Sequence, residues 1–532
     1  MSSNTEFIDK LKFSTKPSGK AEGKHHIVIV GAGIIGVCTA YYLTRHPSFN
    51  KDTHHITVIE SKRVAGGASG KAGGLLAMWA FPQQIVPLSF QLHQELSDEY
   101  DGENKWDYRR LTTVSLEANV QDDNVSLDPR ETGRSREEDD QEEQEQQPQE
   151  QEQQQQPRKQ RPKGKLPAKR KDKKICAVVN NDPVTRVGTT EDDEDYEYSY
   201  EEDEDEEEED DDEEDDEGNE NKVTGDSKRP DGDVSGGLDS KSSIALSKDP
   251  TQLPADLNWI KKHLVRDWSS LGGTDSTAQV HPYKFTHYLL LKAMESGAVD
   301  LILGKVSQLH FNDQCAASGI SYIPTIDDPE EQLQQKPVDI MDVDQIVLSM
   351  GPWTSRLLPD CPISGLRAHS ITIKPSTGTV SPYAIFTELK ISQNKYFSPE
   401  MYARKDEVYV CGEGDTLVEL PETSDAVEVV KEKCDELYHY VSKLSPNLSR
   451  GHILKRQACY LPVLNVPTSS GPLIGETNVE GLYIASGHSC WGINNAPGTG
   501  KVMSELLLEG EAKSADISAL DPSLYFDASI FE

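Results

Sequence analysis

The first residues whose spacing indicates chemistry are the glycines of Gly-Ala-Gly-Ile-Ile-Gly at positions 31–36. Gly31 allows a tight turn, Gly33 lets the backbone approach a pyrophosphate, and Gly36 lets a helix pack closely on a strand. A helix that begins here presents free N–H groups to phosphate oxygens. The spacing predicts a dinucleotide-binding loop that also includes Ala32, Ile34 and Ile35. The alternative is an unrelated glycine turn in an α/β sheet.

A carboxylate follows at the position where the ribose of such a nucleotide would lie. Residues 26–30 are a β-branched run typical of a buried strand, and residues 55–59 form a second run that ends at Glu60. Glu60 comes 24 residues after Gly36, where a carboxylate accepts hydrogen bonds from ribose hydroxyls. Because a carboxylate disfavours a 2′-phosphate, the sequence argues against NADP.

Two further segments distinguish FAD from NAD. Residues 65–74 are rich in glycine, so their backbone can lie against a flat ligand without Cβ clashes; the alternative is a flexible linker. Residues 487–501 follow a predicted strand and lead into a predicted helix, with Pro497 in its first turn. The positive end of that helix suits a flavin carbonyl that gains negative charge on reduction. A plain NAD enzyme needs neither segment.

In order and type, these segments resemble those of the FAD-dependent D-amino-acid, glycine and sarcosine oxidase superfamily. Residues 346–354 resemble its third flavin-side strand and turn, and His281-Pro282 resembles the start of a family helix. The chain is most similar to a fungal branch of FAD-dependent oxidoreductases, over everything except 1–24 and 119–250. The resemblance implies an α/β fold, in which a Rossmann-like FAD-binding domain is interleaved with an antiparallel-sheet (α+β) substrate domain.

The resemblance also implies which other residues contact or shape the FAD site. Arg63 would lie near the adenosine half of FAD, and the alternative is an exposed surface arginine. The implied residues beyond the 31–36 loop and Glu60 are Ser61, Arg63, Ala68, Ser69, Gly70, Gly73, Gly74, Leu75, Gly351, Trp353, Gly487, His488, Gly492, Ile493 and Gly500.

On the substrate side, the resemblance points to His369, Tyr402 and Arg404, with a structural hydrogen bond or surface charge as the alternative for each. The sequence departs from glycine oxidase-like members at Leu461, which stands where they carry an arginine that binds the substrate carboxylate. The substrate is therefore expected to lack a carboxylate, or Arg404 to replace the missing arginine. Cys459 falls near the flavin-linking cysteine of sarcosine oxidases, although a buried core thiol is the simpler interpretation.

We therefore expect an FAD-dependent oxidoreductase that oxidises a C–N bond of a small amine or amino acid. By resemblance, a hydride passes to flavin N5, the imine hydrolyses, and oxygen reoxidises the flavin to give peroxide. The absent arginine and the charged insertion leave open a second hypothesis, an FAD-bound regulatory or scaffold protein with little turnover. A third, an NAD-dependent dehydrogenase, is opposed by residues 487–500.

The charge of the chain is concentrated in its middle. The net charge is −38, and 23 of the 27 residues at 191–217 are Asp or Glu. Residues 158–174 carry ten Lys or Arg, which is typical of a nuclear address or a polyanion contact but could also pair within the chain. Residues 119–250 bury too little apolar surface to fold, so we predict a disordered charged insertion that either contacts a protein partner or is merely solvated. The remaining chain is only moderately acidic, which argues against nucleic-acid binding by the folded part.

Composition also indicates the cellular compartment of the protein. Eight cysteines are scattered without a Cys-x-x-Cys pair, which indicates reduced cytosolic thiols rather than a disulfide framework or a metal site. No signal peptide precedes the first strand, and no apolar run approaches the ~18 residues of a membrane-spanning helix. We predict a cytoplasmic, non-secreted protein without a transmembrane segment, with nuclear entry through 158–174 left open. The predicted domains are a flexible N-terminus (1–24), the FAD-binding domain (25–118, 251–365 with some substrate-domain elements, and 466–532), the insertion (119–250) and the substrate domain (366–465).

Overall fold

The computed structural model describes residues 8–121, 253–467 and 471–529. Apart from residues 119–121, the predicted insertion lies outside these ranges, so its disorder and its partner stay predictions. The described strands are β1 (His25–Val30), β2 (His54–Glu60), β3 (Leu75–Ala77), β4 (Arg109–Arg110), β5 (Thr112–Asn119), β6 (Val265–Gly272), β7 (Thr277–Gln279), β8 (Val299–Phe311), β9 (Ala317–Pro324), β10 (Val338–Met341), β11 (Gln345–Leu348), β12 (Ile363–Lys374), β13 (Tyr383–Ser392), β14 (Lys395–Phe397), β15 (Glu400–Ala403), β16 (Val408–Asp415), β17 (His452–Leu464), β18 (Leu473–Glu476) and β19 (Leu482–Ser486).

One large sheet, called here the nucleotide sheet, has the strand order β10-β9-β8-β2-β1-β11-β19-β18. Its central strands β8, β2, β1, β11 and β19 are parallel. Such strands are buried on both faces, which explains the continuous β-branched runs of the sequence.

The described α-helices are α1 (Ile34–Arg45), α2 (Ala68–Lys71), α3 (Val86–Tyr100), α4 (Gly102–Lys105), α5 (Pro282–Met294), α6 (Pro329–Leu333), α7 (Thr354–Leu357), α8 (Lys431–Leu444), α9 (Pro446–Ser449) and α10 (Gly492–Glu509).

The second large sheet, called the substrate sheet, runs β17-β12-β16-β15-β13-β5-β6, and β14 pairs with β13. Its pairs are antiparallel, as the resemblance implied, except for the parallel pair β5–β13. Alternate residues such as Met401 and Val410 pack under α8 on one face. The intervening residues Tyr402 and Tyr409 point to the opposite face, where they meet Leu75 of β3.

The chain moves between the two large sheets repeatedly. It passes from the nucleotide sheet to the substrate sheet after β2 and after β11, and it returns after β6 and after β17. A short sheet of order β3-β7-β4 lies within the first of these excursions. This confirms the predicted interleaving of a Rossmann-like FAD-binding domain with an antiparallel substrate domain.

The C-terminal helix begins earlier than the sequence predicted. Pro497 was expected in its first turn, but α10 starts at Gly492 and contains Pro497 in its interior. A proline inside a helix leaves the carbonyl four residues earlier without its usual N–H donor. Here that carbonyl, of Ile493, accepts instead from Nε2 of the buried His93 on α3, at 2.9 Å. A distant side chain thus replaces the donor that proline lacks.

Two other expectations need correction. The lead-in is not free throughout, because the backbone of Ser14 exchanges hydrogen bonds with Leu301 and Leu303 of β8. Cys315, expected to be a reduced thiol, is disulfide-bonded; it lies in the exposed turn between β8 and β9, where a thiol is accessible. The remaining cysteines of the described residues are free thiols, namely Cys38, Cys361, Cys411, Cys434, Cys459 and Cys490.

Candidate active site

The loop between β1 and α1 has the geometry that its glycines predict. Gly31 has a positive φ of +107°, and a Cβ at this position would lie 2.6 Å from the carbonyl oxygen of Ser349. A Cβ on Gly36 would lie 2.2 Å from the carbonyl oxygen of Gly31. Helix α1 begins at Ile34, and its N-cap residue Gly33 makes no side-chain cap. Backbone N–H groups at this end are therefore available to a ligand.

The carboxylate of Glu60 lies beside this loop at the end of β2. Its Oε2 accepts from the N–H of Ala32 at 3.0 Å, and its Oε1 accepts from the Ser61 hydroxyl at 3.0 Å and the Lys62 N–H at 3.1 Å. Burial raises the pKa of Glu60, and these hydrogen bonds act in the opposite direction. Arg63 follows as an exposed residue, so its position near the adenosine half stays a prediction.

The glycine-rich segment 65–74 is held against both domains. The Ser69 hydroxyl oxygen accepts a hydrogen bond from the N–H of Ile34 at 2.9 Å. This bond ties the segment to residues 31–36, called here the phosphate-side loop. A Cβ on Gly70 would lie 2.2 Å from the Ala65 carbonyl oxygen. Gly74 has a φ of +88°, and a Cβ there would lie 2.2 Å from the Val280 carbonyl oxygen. The segment is therefore an ordered part of the site rather than a flexible linker.

Gly73 brings this segment to the substrate sheet. A Cβ on Gly73 would lie 2.3 and 2.4 Å from two ring atoms of Tyr402 and 2.9 Å from the ring of Tyr409. The neighbouring Leu75 opens β3 and is buried against the same two tyrosines. The sequence had assigned these glycines to a flat ligand alone. In the structure, Gly73 also serves the close approach of Tyr402, whose position the sequence could not give.

The third predicted flavin-side turn also lies against segment 65–74. Gly351 has a positive φ of +58° and begins a short 3-10 turn that ends at Trp353. A Cβ on Gly67 would lie 3.8 Å from the Trp353 ring. Trp353 is fixed because its Nε1 donates to the Pro421 carbonyl oxygen at 2.7 Å.

The C-terminal loop reaches the site from the nucleotide sheet. Gly487 has a φ of +88°, and His488 pairs with the Thr499 hydroxyl at 3.0 Å. Burial lowers the pKa of His488 to about 3, so this imidazole is neutral. Gly492 is the first residue of α10, which places the positive end of that helix at the loop.

Gly500 was expected to contact or shape the FAD site, and its surroundings in the structure agree with a shaping role. A Cβ on Gly500 would lie 2.5 Å from the backbone of Cys38 on α1. It therefore shapes the site by allowing α10 to pack against α1, the helix that carries the phosphate-side loop.

These features fit FAD. A cradle without Cβ atoms lies at the end of α1, and a buried carboxylate stands beside it at Glu60. The segments 65–74 and 487–492 continue from there to the substrate sheet, through Ser69 and Gly73. The chain thus offers a helix N-terminus for the pyrophosphate, a ribose acceptor and two backbone-lined segments for the flavin.

Two of the predicted substrate-side residues, Tyr402 and Arg404, lie where segment 65–74 meets the substrate sheet, called here the junction. The Tyr402 hydroxyl donates to Glu400, and the Tyr402 ring stacks on Tyr409 with centroids 5.8 Å apart. The guanidinium of Arg404 donates to the carbonyl oxygens of Gly73 at 3.2 Å and Ala72 at 2.5 Å. It also forms an ion pair with Glu407 at 2.6 Å.

Arg404 is therefore engaged with the protein. Its guanidinium lies over the Tyr409 ring at 5.0 Å, and the residue is buried. Since its contacts join the loop of one domain to a strand of the other, we assign to Arg404 the positioning of Gly73. Its use as a carboxylate anchor stays a prediction from the sequence.

The structure does not bring His369 to this junction. Nε2 of His369 accepts from the Val430 N–H at 3.0 Å, and Nδ1 lies 3.9 Å from Asp415. The register of β12 against β16 shifts between Ala368 and Ser370. It is the Ser370 hydroxyl that contacts Gln457, and Gln457 donates to the Lys71 carbonyl oxygen at 2.9 Å. Alternation along β12 explains this difference, because His369 shares the face of Ile371 and Ile373, which packs under α8, while Ser370 faces the other way.

The sequence reasoning missed Glu400 and a row of aromatic residues around it. Glu400 is paired across the sheet with Phe386 and with Cys411. The Phe386 ring lies 6.0 Å from Trp79, and Trp79 lies 5.3 Å from Trp491. The available signal was the alternation Glu400-Met401-Tyr402-Ala403, but both faces of the substrate sheet are covered, so alternation could not show which face carries the site.

Cys459 and Leu461 lie on β17, at the edge of the substrate sheet. Cys459 is only 4% exposed, and burial raises its pKa to about 11 although the nearby Lys71 acts to lower it. The Cys459 thiol is therefore protonated at neutral pH. Leu461 follows two residues later on the strand and so shares the face of Cys459. Covalent attachment of FAD at Cys459 stays a prediction.

No group of three or more His, Cys, Asp or Glu side chains in the described ranges could hold a metal ion. No helix among residues 8–121, 253–467 and 471–529 is both long and apolar enough to cross a membrane.

Relatives of known sequence resemble the chain over nearly its whole length. "Putative oxidoreductase TDA3" of Saccharomyces cerevisiae is 57% identical over 543 residues, which cover 97% of this chain and 98% of that protein. "Putative oxidoreductase C1F5.03c" of Schizosaccharomyces pombe is 31% identical and covers 93% and 97%, respectively.

Solved structures share the fold at low sequence identity. L-proline dehydrogenase from P. horikoshii has a TM-score of 0.55 at 15% identity, with 94% of this chain and 97% of that chain covered. Glycine oxidase from Bacillus cereus has a TM-score of 0.54 at 14% identity, with 92% and 95% covered.

The model of a family described as DAO, FAD dependent oxidoreductase, matches residues 26–166 and 249–506. These ranges contain the phosphate-side loop, Glu60, segment 65–74, the substrate sheet and the loop that opens α10. The chain therefore belongs to the DAO family of FAD-dependent oxidoreductases.

Proposed function

We propose that the protein oxidises a C–N bond of a small amine or amino acid. The observation that carries the proposal is the contact of Gly73 with Tyr402, because it joins the flavin-side segment 65–74 to one face of the substrate sheet. A substrate bound on that face would lie next to the flavin. The names of the structural relatives, among them glycine oxidase and L-proline dehydrogenase, agree with this substrate class.

When bound, FAD supplies the acceptor for a hydride from the carbon next to the amine nitrogen. The chain's own residues supply position and a dry environment. Arg404 fixes the Ala72–Gly73 backbone, and the stacked rings of Tyr402 and Tyr409 cover it. We assign substrate contact to Tyr402, whereas His369 stays a prediction from the sequence.

Anaerobic titration of the purified holoprotein with amines and amino acids tests the proposal. We expect at least one compound to bleach the visible flavin absorbance in a single turnover. Stoichiometric FAD that no compound bleaches would contradict the proposal and favour the regulatory alternative. Acid precipitation of the same sample tests the state of Cys459: flavin in the supernatant means a free thiol, and flavin in the pellet means a covalent link.

A further inference from the structure

We infer that the recess formed by Glu400, Phe386, Trp79 and Trp491 binds the ammonium group of an amine that lacks a carboxylate. This inference rests on the proposed function and narrows it from amines and amino acids to one substrate class. Its test separates the two.

Glu400 is a carboxylate without a cation. Its Oε2 accepts from the Tyr402 hydroxyl and from the Cys411 thiol at 3.7 Å. Among the described residues, the hydrogen bonds to its carboxylate come from Tyr402 and Cys411 alone, and no Lys, Arg or His is among the groups that shift its pKa. Burial raises the pKa of Glu400 while those two hydrogen bonds lower it. Because a buried carboxylate is stabilised by a cationic partner, the site is chemically complete only when a cation binds.

Aromatic rings form the walls around this carboxylate. Phe386 lies opposite Glu400 on the neighbouring strand, and its ring centroid is 6.0 Å from those of Tyr402 and Trp79. Trp79 meets Trp491 edge-on at 5.3 Å. A cation beside an aromatic face is attracted by the quadrupole of the ring, and each favourable ring adds to the attraction. Aromatic walls around a single carboxylate are the chemistry that recognises an organic ammonium.

The recess lies beside the flavin-side segments and opens toward solvent. Tyr402 contacts Gly73, and Trp491 immediately precedes Gly492, the first residue of α10. Trp79 is 37% exposed and therefore lies at the rim. An ammonium group held at Glu400 would thus place its α-carbon near the junction of the two segments. Transfer of one ammonium proton to the Glu400 carboxylate would leave the neutral amine, from whose α-carbon a hydride can depart.

The same surroundings disfavour a substrate carboxylate. A second carboxylate near Glu400 would be repelled. Leu461 cannot pair with one, and Arg404 already donates to Ala72, Gly73 and Glu407. Lys71, at the end of α2, donates to the Ala458 carbonyl oxygen at 2.9 Å. The charge pattern therefore favours 2-phenylethylamine over phenylalanine, which differs from it only by the carboxylate.

The test measures binding of matched pairs to the holoprotein by calorimetry under anaerobic conditions, with flavin bleaching recorded in parallel. The pairs are 2-phenylethylamine against each enantiomer of phenylalanine, and pyrrolidine against proline. We expect the decarboxylated member of each pair to bind at least roughly tenfold more tightly.

Three variants locate the effect. Glu400→Gln should weaken 2-phenylethylamine binding roughly 10- to 100-fold, because a hydrogen-bonded charge pair is lost. Trp79→Leu should weaken it roughly 3- to 10-fold. Glu432→Gln removes an exposed carboxylate on α8, on the opposite face of the sheet, and should leave binding unchanged. FAD content and thermal midpoint are measured for each variant, so that a folding defect is recognised.

The outcomes keep the two proposals apart. Tight amine binding that Glu400→Gln abolishes, together with bleaching, supports both. The same binding, with no bleaching by any amine or amino acid of the anaerobic titration, supports the recess and contradicts the proposed oxidation. Preferential binding and bleaching by the amino acids would overturn the inference and leave the oxidation standing. Unchanged amine affinity in Glu400→Gln would also overturn the inference.

Discussion

Replacement of Gly73 by alanine tests whether the contact between the two domains holds the flavin-side segment. The new Cβ would lie 2.3 and 2.4 Å from ring atoms of Tyr402, whereas ordinary contacts begin near ~3.4 Å. The ring must therefore move by about 1 Å. It is held by its stacking on Tyr409, with centroids 5.8 Å apart, and by the hydrogen bond of its hydroxyl to Glu400.

Overpacking of this kind costs about 1–3 kcal/mol of unfolding free energy. With an unfolding entropy of ~2.1 cal/mol/K per residue over roughly 390 ordered residues, this lowers the thermal midpoint by about 1–4 °C. The matched control is Gly67→Ala in the same segment, because its Cβ would meet only the Trp353 ring, at 3.8 Å. Differential scanning fluorimetry and the flavin-to-protein absorbance ratio measure stability and FAD retention.

We expect Gly73→Ala to melt below Gly67→Ala and to retain less FAD. The double variant Gly73→Ala/Tyr402→Ala should recover part of the loss caused by Gly73→Ala, because the obstructing ring is gone. If Gly73→Ala has the same thermal midpoint as Gly67→Ala and keeps its full FAD content, Tyr402 does not brace the flavin-side segment.

Four further predictions rest on the described contacts. Gly36→Ala should destabilise even the FAD-free protein, since its new Cβ would lie 2.2 Å from a backbone oxygen. Gly33→Ala should mainly weaken FAD binding, because its Cβ would meet only a serine hydroxyl, at 3.1 Å. Thermal melts with and without added FAD distinguish the two variants. His93→Phe should cost about 1–3 kcal/mol by removing a buried donor, and Pro497→Ala should partly restore the stability of that variant; equal loss in both backgrounds would contradict this. Burial lowers the pKa of His93 from 6.5 to about 4, so on acidification the unfolded chain is protonated before the folded protein. The free energy of unfolding should therefore fall by about 2 kcal/mol as the pH drops to 5. Urea titrations at several pH values should find a smaller fall in His93→Phe. Glu400→Gln should melt at or above the wild-type temperature at pH 7, because burial disfavours the ionised carboxylate; a lower midpoint would indicate a structural role instead.

The nucleotide half of the site could be predicted because its signals are local. Gly31, Gly36 and Glu60 act through neighbours in one β-α-β unit, so spacing along the chain determines their positions in space. The interior position of Pro497 could not be foreseen, because the donor that permits it, His93, lies some 400 residues away in sequence.

The substrate half could be predicted only in outline. Tyr402 and Arg404 were identified by resemblance, but their packing against Gly73 depends on how two separate sheets meet. Ser370, rather than His369, faces the junction, because His369 shares the face of Ile371 and Ile373, which packs under α8. Alternation along β12 separates these two side chains, but both faces of the sheet are covered, so the sequence alone does not show which face meets the other sheet.

The repeated passage of the chain between the two sheets limits how a substrate can enter. Arg404 of the substrate sheet donates to the backbone of Ala72 and Gly73 on the other side of the junction, so the two halves cannot separate like the jaws of a hinge without breaking these bonds. We therefore expect access through small movements at the rim, where Trp79 and Phe81 are 37% and 40% exposed. Side-chain rotation at such positions takes place within nanoseconds. Substrate capture should therefore be gated by aromatic side chains rather than by domain closure, and rapid-mixing experiments should find no slow conformational step before the flavin is reduced.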